Sequence, residues 1–230
     1  MAKTAILVDG GFYRKRAELL WGKKPPEDRA LELRRYCQAH IKTLDGTFPR
    51  QLYRVFYYDC PPINKKIFHP FLNRTVDFGK TDLYKWANEF FEQLKKQRKL
   101  ALRMGRLSEP TAYYAIKPDT IKHLFRGTKT IKELDLDDFS LSVEQKGVDM
   151  KIGLDIASLA YKKQIDQIIL ISGDSDFVPA AKLARREGID FILDPMWASI
   201  KPDLFEHIDG LRSPWKKKEQ NQNDSCAEDY

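Results

Sequence analysis

The stretch IILISGDSDFVPAAKLARREG, residues 168–188, decides the fold, because it holds an apolar strand, an acidic turn and a helix in immediate succession. The apolar run begins at Ile165 and ends at Ser172, which is typical of a strand covered on both faces. The segment from Phe177 has apolar residues at helical spacing and ends at Gly188, a residue that often terminates helices. The sequence therefore predicts a strand–turn–helix unit of an α/β protein.

The same alternation extends along the chain. Further strands are predicted at 4–8, 52–58 and 189–193, helices at 29–44, 82–100 and 148–163, and a helix or half-helix at 201–211. Strands that alternate with helices favour a Rossmann-like, mostly parallel sheet with helices on both faces. Right-handed crossovers bring the carboxyl ends of its strands to one edge, where open α/β sheets bind their ligands.

The length of 230 residues suits one domain with a substantial insertion. We expect a single domain over 1–212 with an insertion at about 60–145, and a polar tail without fixed structure at 213–230. Within the insertion, 101–107 and 112–116 are expected to pair as β-strands. Residues 118–145 show no clear periodicity and are interpreted as an insertion or a long loop.

Composition narrows the class of partner. The net charge is +7, and a basic surface attracts polyanions such as nucleic acids. No apolar stretch is long enough to span a bilayer, and the N-terminus lacks a signal-peptide layout, so a cytoplasmic protein without membrane contact is expected. The cysteines, Cys37, Cys60 and Cys226, form neither a paired framework nor a zinc spacing.

Four aspartates are candidates for one site: Asp9, Asp149, Asp174 and Asp176. Asp9 ends the first strand, Asp174 and Asp176 follow the most apolar strand, and the helix that leads into that strand opens at Asp149. Two carboxylates about 4 Å apart repel by roughly 1 to 4 kcal/mol, so their convergence favours a bound Mg²⁺ or Mn²⁺. Such ions activate water and neutralise charge on phosphoryl groups.

Each acid also has a simpler interpretation. Asp9 and Asp149 each suit the N-cap of a helix about as well as they suit a metal site. One residue of the 174–176 pair is expected to cap the following helix. Asp155 lies off the face of Asp149, which favours a surface or outer role. Asp59 and Asp194 also end strands, but the prolines that follow explain them as turn residues. Asp59 is kept as an outer acid, and Asp194 is left out of the site.

The segments ILVDGG (6–11), KGVDMKIGLDIA (146–157) and 168–188 resemble the NYN domain, a PIN-like group that includes LabA-like bacterial proteins. The resemblance implies a Rossmann-like PIN fold and a metal-dependent nuclease site that acts mainly on RNA. It carries over to the four aspartates, with Ser172 as a hydroxyl neighbour, and it implies a homodimer. Many relatives have an asparagine shortly after the first acid, where this chain has Phe12.

Basic residues near the acids are candidates for binding RNA phosphates. They are Arg14, Arg16, Lys146 and Lys151, and Lys146 also supports the acid site; Lys15 lies in the same run. The alternative is that such residues are ordinary solvated charges. The basic run at 95–106 is a further candidate for binding RNA, and a solvated helix face explains it equally well.

The leading hypothesis is a metal-dependent ribonuclease, and most simply an endonuclease, that hydrolyses RNA phosphodiesters with Mg²⁺ or Mn²⁺. The alternative is a non-catalytic module that binds RNA or a protein and keeps the acids as a structural or regulatory site. A phosphatase on the same kind of sheet is a third hypothesis, but the first strand lacks the second acid that an aspartyl nucleophile usually has beside it.

Overall fold

A computed structural model describes residues 1–42, 50–108 and 111–216. The strands are β1 Ala2–Asp9, β2 Arg50–Asp59, β3 Lys66–His69, β4 Arg74–Asp77, β5 Leu100–Met104, β6 Arg106–Leu107, β7 Tyr113–Ile116, β8 Phe139–Ser142, β9 Gln145–Lys146, β10 Gln167–Ile171, β11 Asp190–Asp194 and β12 Gly210–Leu211. The helices are α1 Gly10–Trp21, α2 Pro26–Ile41, α3 Asp82–Lys95, α4 Pro118–Phe125, α5 Val148–Tyr161, α6 Val178–Arg186 and α7 Pro202–Glu206.

Six strands form the central sheet in the order β12-β11-β10-β1-β2-β5, and every neighbouring pair is parallel. All five residues of β10 are buried, as expected of a central strand whose two faces are covered. Gly188, which follows α6, has φ of 82°, the left-handed conformation that ends a helix. The predicted α/β fold with a parallel sheet is confirmed.

Helices cover the sheet on both faces because alternate residues of each strand point to opposite sides. In β1, Ile6 and Val8 pack with α1, α2 and α3, whereas Ala5 and Leu7 pack with α5, α6 and α7. The chain thus builds β1, β2 and β5 across one face, and then returns across the other to build β10, β11 and β12.

This winding places a topological switch point between β1 and β10, which are neighbours in the sheet although 157 positions separate Asp9 from Asp166. Their register pairs Val8 with Ile171, so Asp9 and Ser172 emerge side by side at the carboxyl edge. The chain leaves β1 towards one face and β10 towards the other, and a crevice opens between the two exits.

The expected β pair of 101–107 with 112–116 is wrong. Leu100–Met104 instead joins the central sheet beside β2, Arg106–Leu107 pairs with Gln145–Lys146, and Tyr113–Ile116 pairs with Phe139–Ser142. The interpretation of 118–145 as a long loop is also wrong in part, because α4 and β8 lie within it. These pairings join segments 23 to 45 positions apart, which local periodicity does not reveal.

The part of the predicted tail that the structure describes contacts the domain. The Ser213 hydroxyl donates to Asp194 Oδ1 (2.6 Å), and Trp215 packs edge-on against Trp21 and Tyr36. Residues 217–230, with Cys226, lie outside the described residues, so the boundary at 212 stays a prediction.

No helix in the described ranges is long and apolar enough to cross a bilayer.

Candidate active site

A cleft of about 830 Å³ lies at the carboxyl edge of the sheet, at the switch point. Three of the predicted aspartates, Asp9, Asp149 and Asp174, line it together with Ser172 and Gly173. The acids come from the end of β1, the first turn of α5 and the turn after β10, so the fold brings together three segments that are distant in sequence.

Asp9 combines the capping role with a place in the cleft. Its Oδ1 accepts a hydrogen bond from the Phe12 backbone N–H (3.0 Å), as an N-cap of α1, and its Oδ2 accepts from the Ser172 hydroxyl (3.3 Å). Burial raises the pKa of Asp9 above its usual range, and the charge of Asp149 adds to the increase. Two hydrogen bonds therefore hold the Asp9 carboxylate in place, while burial and the neighbouring acid disfavour its charged form.

Asp149 lies in the first turn of α5, but the N-cap is Gly147, which adopts a left-handed φ of 80°. The capping interpretation of Asp149 is therefore wrong. Burial raises the pKa of Asp149, and the charges of Asp174 and Asp176 raise it further. The Asp149 carboxylate thus interacts electrostatically both with Asp9 and with the 174–176 pair.

Asp174 caps the single 3₁₀ turn Ser175–Phe177 by accepting a hydrogen bond from the Asp176 backbone N–H (3.0 Å). Its own backbone N–H donates to the Ser172 hydroxyl (3.3 Å), which also bonds Asp9. Ser172 thus links the two acids that follow neighbouring strands. Asp176 is exposed and lies outside the described lining of the cleft.

The donor set fits a hard divalent cation, because it consists of carboxylate oxygens and one hydroxyl. Among the described residues, no three of these aspartates have carboxylate oxygens that all lie within 4.8 Å of one another; such a trio of ligand atoms occurs at Asp203, Glu206 and His207. That trio consists of close neighbours in sequence, since Asp203 and Glu206 belong to α7 and His207 is its C-cap, and its acids are exposed. Mg²⁺ commonly takes one or two carboxylates directly and keeps several waters, so it does not require three acids in contact with it.

Glycines allow the cleft floor to pack closely. A Cβ at Gly173 would lie 2.9 Å from the Phe12 ring, and a Cβ at Gly10 would lie 2.6 Å from both Asp59 Oδ2 and the Tyr57 ring. Both contacts are closer than van der Waals packing allows. Phe12, the departure from the family pattern, thus occupies the space above Gly173 and lines the cleft beside Asp9.

Asp59 lies buried behind the cleft and has a cation as its partner. Its Oδ1 accepts from Arg14 (2.9 Å) and from the Cys60 backbone N–H (2.8 Å), and Oδ2 accepts from the Tyr57 hydroxyl (3.2 Å). Asp155 is likewise engaged, since its Oδ2 accepts from the Tyr58 hydroxyl (2.8 Å) and Arg103 Nε (3.0 Å). These partners agree with the outer positions expected for both acids.

The predicted phosphate-binding residues all have partners within the chain. Arg14 lines the cleft in its pair with Asp59, Arg16 donates to the Met196 carbonyl, Lys146 pairs with Glu144 (3.2 Å), and Lys151 donates to the Met104 carbonyl (2.5 Å). One cleft residue that the sequence did not single out is Lys201, whose ammonium donates to the Ser175 hydroxyl (3.1 Å). No motif marks it, because it follows an irregular loop.

Comparison with known proteins adds a family to this geometry. A sequence model of the NYN domain matches residues 76–203. The match includes Asp149, Asp174, Asp176 and Lys201, and leaves Asp9 outside it.

One protein sequence and one solved structure illustrate what the chain is similar to. It is 32% identical over 93 residues to the uncharacterized protein y4oD of Sinorhizobium fredii (strain NBRC 101917 / NGR234), a match over 36% of this chain and 43% of that protein. The chain thus matches less than half the length of that relative. A crystal structure of VPA0982, a protein of unknown function from Vibrio parahaemolyticus RIMD 2210633, aligns over 91% of both chains at 15% identity with a TM-score of 0.44.

Proposed function

Because the match extends over more than half of its residues, the chain belongs to the NYN domain family of PIN-like nucleases, and we propose that it is a metal-dependent ribonuclease that cuts RNA internally. Family membership supports the nuclease class. The choice of RNA, of hydrolysis inside the strand and of Mg²⁺ or Mn²⁺ is our proposal.

The observation that carries the proposal is the meeting of Asp9, Asp149 and Asp174 in one open cleft at the switch point. Burial raises the pKa of both Asp9 and Asp149; the charge of Asp149 adds to the increase at Asp9, and the charges of Asp174 and Asp176 add to that at Asp149, so the acids repel one another. A purely structural site would supply donors for such charges, as the protein does for Asp59. Uncompensated carboxylates in a cleft open to solvent are typical of a catalytic site.

In this proposal Asp9, Asp149 and Asp174 hold the cation, with Asp176 beside them. The bound cation supplies positive charge to a phosphodiester and offsets the repulsion among the acids. Ser172 orients the Asp9 carboxylate through its hydroxyl, and the Phe12 backbone N–H fixes the other oxygen of the same carboxylate. The α1 and 198–201 walls of the cleft then position the RNA backbone.

The test is cleavage of a labelled RNA that has a single-stranded and a hairpin segment, in Mn²⁺ and in Mg²⁺. We expect Asp174→Asn to lower the rate about 100-fold or more, since the loss of roughly 3 kcal/mol of charge stabilisation has that effect. Internal fragments, rather than mononucleotides, would identify an endonuclease. A DNA strand of the same sequence measures the dependence on the 2′-hydroxyl.

The matched control is Asp203→Asn, which makes the same substitution in the α7 trio. Equal rates for wild type and Asp174→Asn, or a rate that falls only in Asp203→Asn, would overturn the proposed site. RNA binding without turnover in either metal would favour a non-catalytic binding module. Mn²⁺ should raise the unfolding midpoint of the wild type more than that of Asp174→Asn, because ligands stabilise the state that binds them.

A cytoplasmic location and a homodimer stay predictions. Analytical ultracentrifugation of the purified chain would test the dimer.

A further inference from the structure

We infer that Lys15 and Lys201 are the cations that hold the RNA backbone across the acid cleft, one on each wall. This inference rests on the proposed function and assigns the phosphate contacts of that same site. It differs from the sequence-based assignment to Arg14, Arg16, Lys146 and Lys151, which stays untested.

Arg14 and Arg16, two of the basic residues assigned from the sequence, already have partners within the protein. Arg14 is ion-paired with the buried Asp59, and a phosphate would have to compete with that carboxylate for its guanidinium. Arg16 donates two hydrogen bonds to the carbonyl of Met196 in the loop beside the cleft. Met196 has a left-handed φ of 46°. Arg16 therefore holds this loop in an unfavourable backbone conformation. Moving it to bind RNA would release the loop.

Lys15 and Lys201 differ from these arginines in their exposure and in their partners. Both are exposed and both line the cleft that Asp9, Asp149 and Asp174 share. Among the described residues, no carboxylate forms an ion pair with either ammonium group. Lys201 is oriented by a neutral partner, the Ser175 hydroxyl (3.1 Å), which lies between Asp174 and Asp176 in sequence. Its charge thus remains available next to the acids.

The two lysines belong to, or directly precede, helices on opposite faces of the sheet. Lys15 belongs to α1, which packs on one face, and Lys201 immediately precedes α7, whose Leu204 packs on the other face. The acids lie at the edge between these faces. An RNA strand that passes over the acids meets an ammonium group before and after the cut, which offsets the repulsion between its phosphates and the carboxylates.

The carboxylate of Glu18, one turn after Lys15 on α1, also lines the cleft and lies 3.8 Å from Lys23. The cationic part of this wall is therefore short. It suits contact with single phosphates close to the acids rather than with a long stretch of duplex.

The experiment measures binding of a fluorescein-labelled single-stranded RNA by anisotropy, in EDTA and over a range of salt concentrations. We expect Lys15→Ala and Lys201→Ala each to weaken binding about three- to tenfold and to reduce the salt slope by about 0.7, the value for one phosphate contact of a single strand. Lys201→Arg, which keeps the charge, should bind nearly as the wild type does.

The matched control is Lys146→Ala, which removes one positive charge from a residue that is paired with Glu144. A loss of affinity in Lys146→Ala equal to that in Lys201→Ala, or unchanged binding in both cleft variants, would overturn the inference. RNA that binds through the two lysines but is never cut would overturn the nuclease proposal alone. A wild type that cuts RNA while both cleft variants bind normally would overturn this inference alone, and absence of any RNA binding would overturn both.

Discussion

Asp9 and Asp194 end parallel strands at the same edge of one sheet, with β10 between them, yet the protein treats the two acids in opposite ways. Asp194 is fully buried and accepts hydrogen bonds from the Tyr36 hydroxyl (2.6 Å), the Ser213 hydroxyl (2.6 Å) and the Met196 N–H (2.8 Å), with His40 Nε2 also at 2.8 Å. Asp9 has two hydrogen-bond donors and faces other acids across an open cleft.

The difference lies in the neighbours that the fold supplies. Donors from α2, the loop after β11 and the C-terminal segment surround Asp194 and exclude water, which makes it an anchor for these elements. The crevice at the switch point leaves Asp9 without such a shell. An acid at a strand end is thus enclosed by hydrogen-bond donors where such donors converge on it, and it stays in an acidic, open environment where other carboxylates do.

The largest expected effect comes from Asp194→Ala. Removal of this carboxylate leaves several buried donors without an acceptor, which should cost about 3 to 5 kcal/mol of unfolding free energy. Urea denaturation followed by circular dichroism measures it.

The matched variant is Asp174→Ala, which removes the same group from the exposed turn and loses only a cap, worth about 1 kcal/mol. If Asp194→Ala does not fold, Asp194→Asn, which keeps one acceptor, should give an intermediate loss. Equal losses for the two alanine variants would contradict the contrast between a buried, hydrogen-bonded acid and an exposed acid of the cleft.

A medium effect is expected at Gly10, which separates Asp9 from the buried Asp59. Gly10→Ala places a methyl group 2.6 Å from Asp59 Oδ2 and from the Tyr57 ring, and such overpacking costs about 1 to 3 kcal/mol.

Gly11→Ala is the control one residue later. The nearest atom to its new Cβ is Asp9 Oδ1 at 3.6 Å, an ordinary contact, and alanine favours the helix by about 0.5 to 1 kcal/mol. Thermal unfolding of both variants should show shifts of opposite sign. A stabilised Gly10→Ala would mean that the wall between the two acids is looser than described.

The smallest effect concerns pH. Because burial raises the pKa of Asp9 in the folded state, the folded chain binds the proton more tightly than the unfolded chain. Stability is therefore lost as pH rises from the unfolded pKa, about 3.9, through the folded one. Asp9→Asn keeps the acceptor for the Phe12 N–H and removes this loss, so at pH 7 in EDTA its unfolding midpoint should be higher by on the order of 1 °C. The gap should close towards pH 4.

The control is Asp119, whose pKa shifts in the opposite direction to that of Asp9. The Lys122 ammonium, through a hydrogen bond, lowers the pKa of Asp119, so its stabilising effect is present at neutral pH and is lost as pH falls through the lowered value. Asp119→Asn should therefore not raise the midpoint at pH 7. If Asp9→Asn lowered the midpoint at pH 7, the carboxylate would be a stabilising group, like Asp194.

Much of the architecture could be predicted from the sequence because it depends on local periodicity. The apolar run before Ser172 and the helical spacing after Phe177 gave the strand–turn–helix unit at nearly its observed bounds. The insertion was harder, since β6 to β9 are two to four residues long and pair across 23 to 40 positions. Such short segments carry too few residues to show a period.

The sequence by itself determined that this is an α/β protein with a parallel sheet and that acids follow its strands, because apolar spacing and residue order are written along the chain. Only the tertiary structure decided that Asp194 is an anchor while Asp9 faces a cleft, and that Arg14 is ion-paired while Lys201 donates to a neutral hydroxyl. Those distinctions depend on groups more than 40 positions away, such as Asp59 for Arg14 and Tyr36 for Asp194. The environment of a charge is set by what folds against it, and no local pattern contains that information.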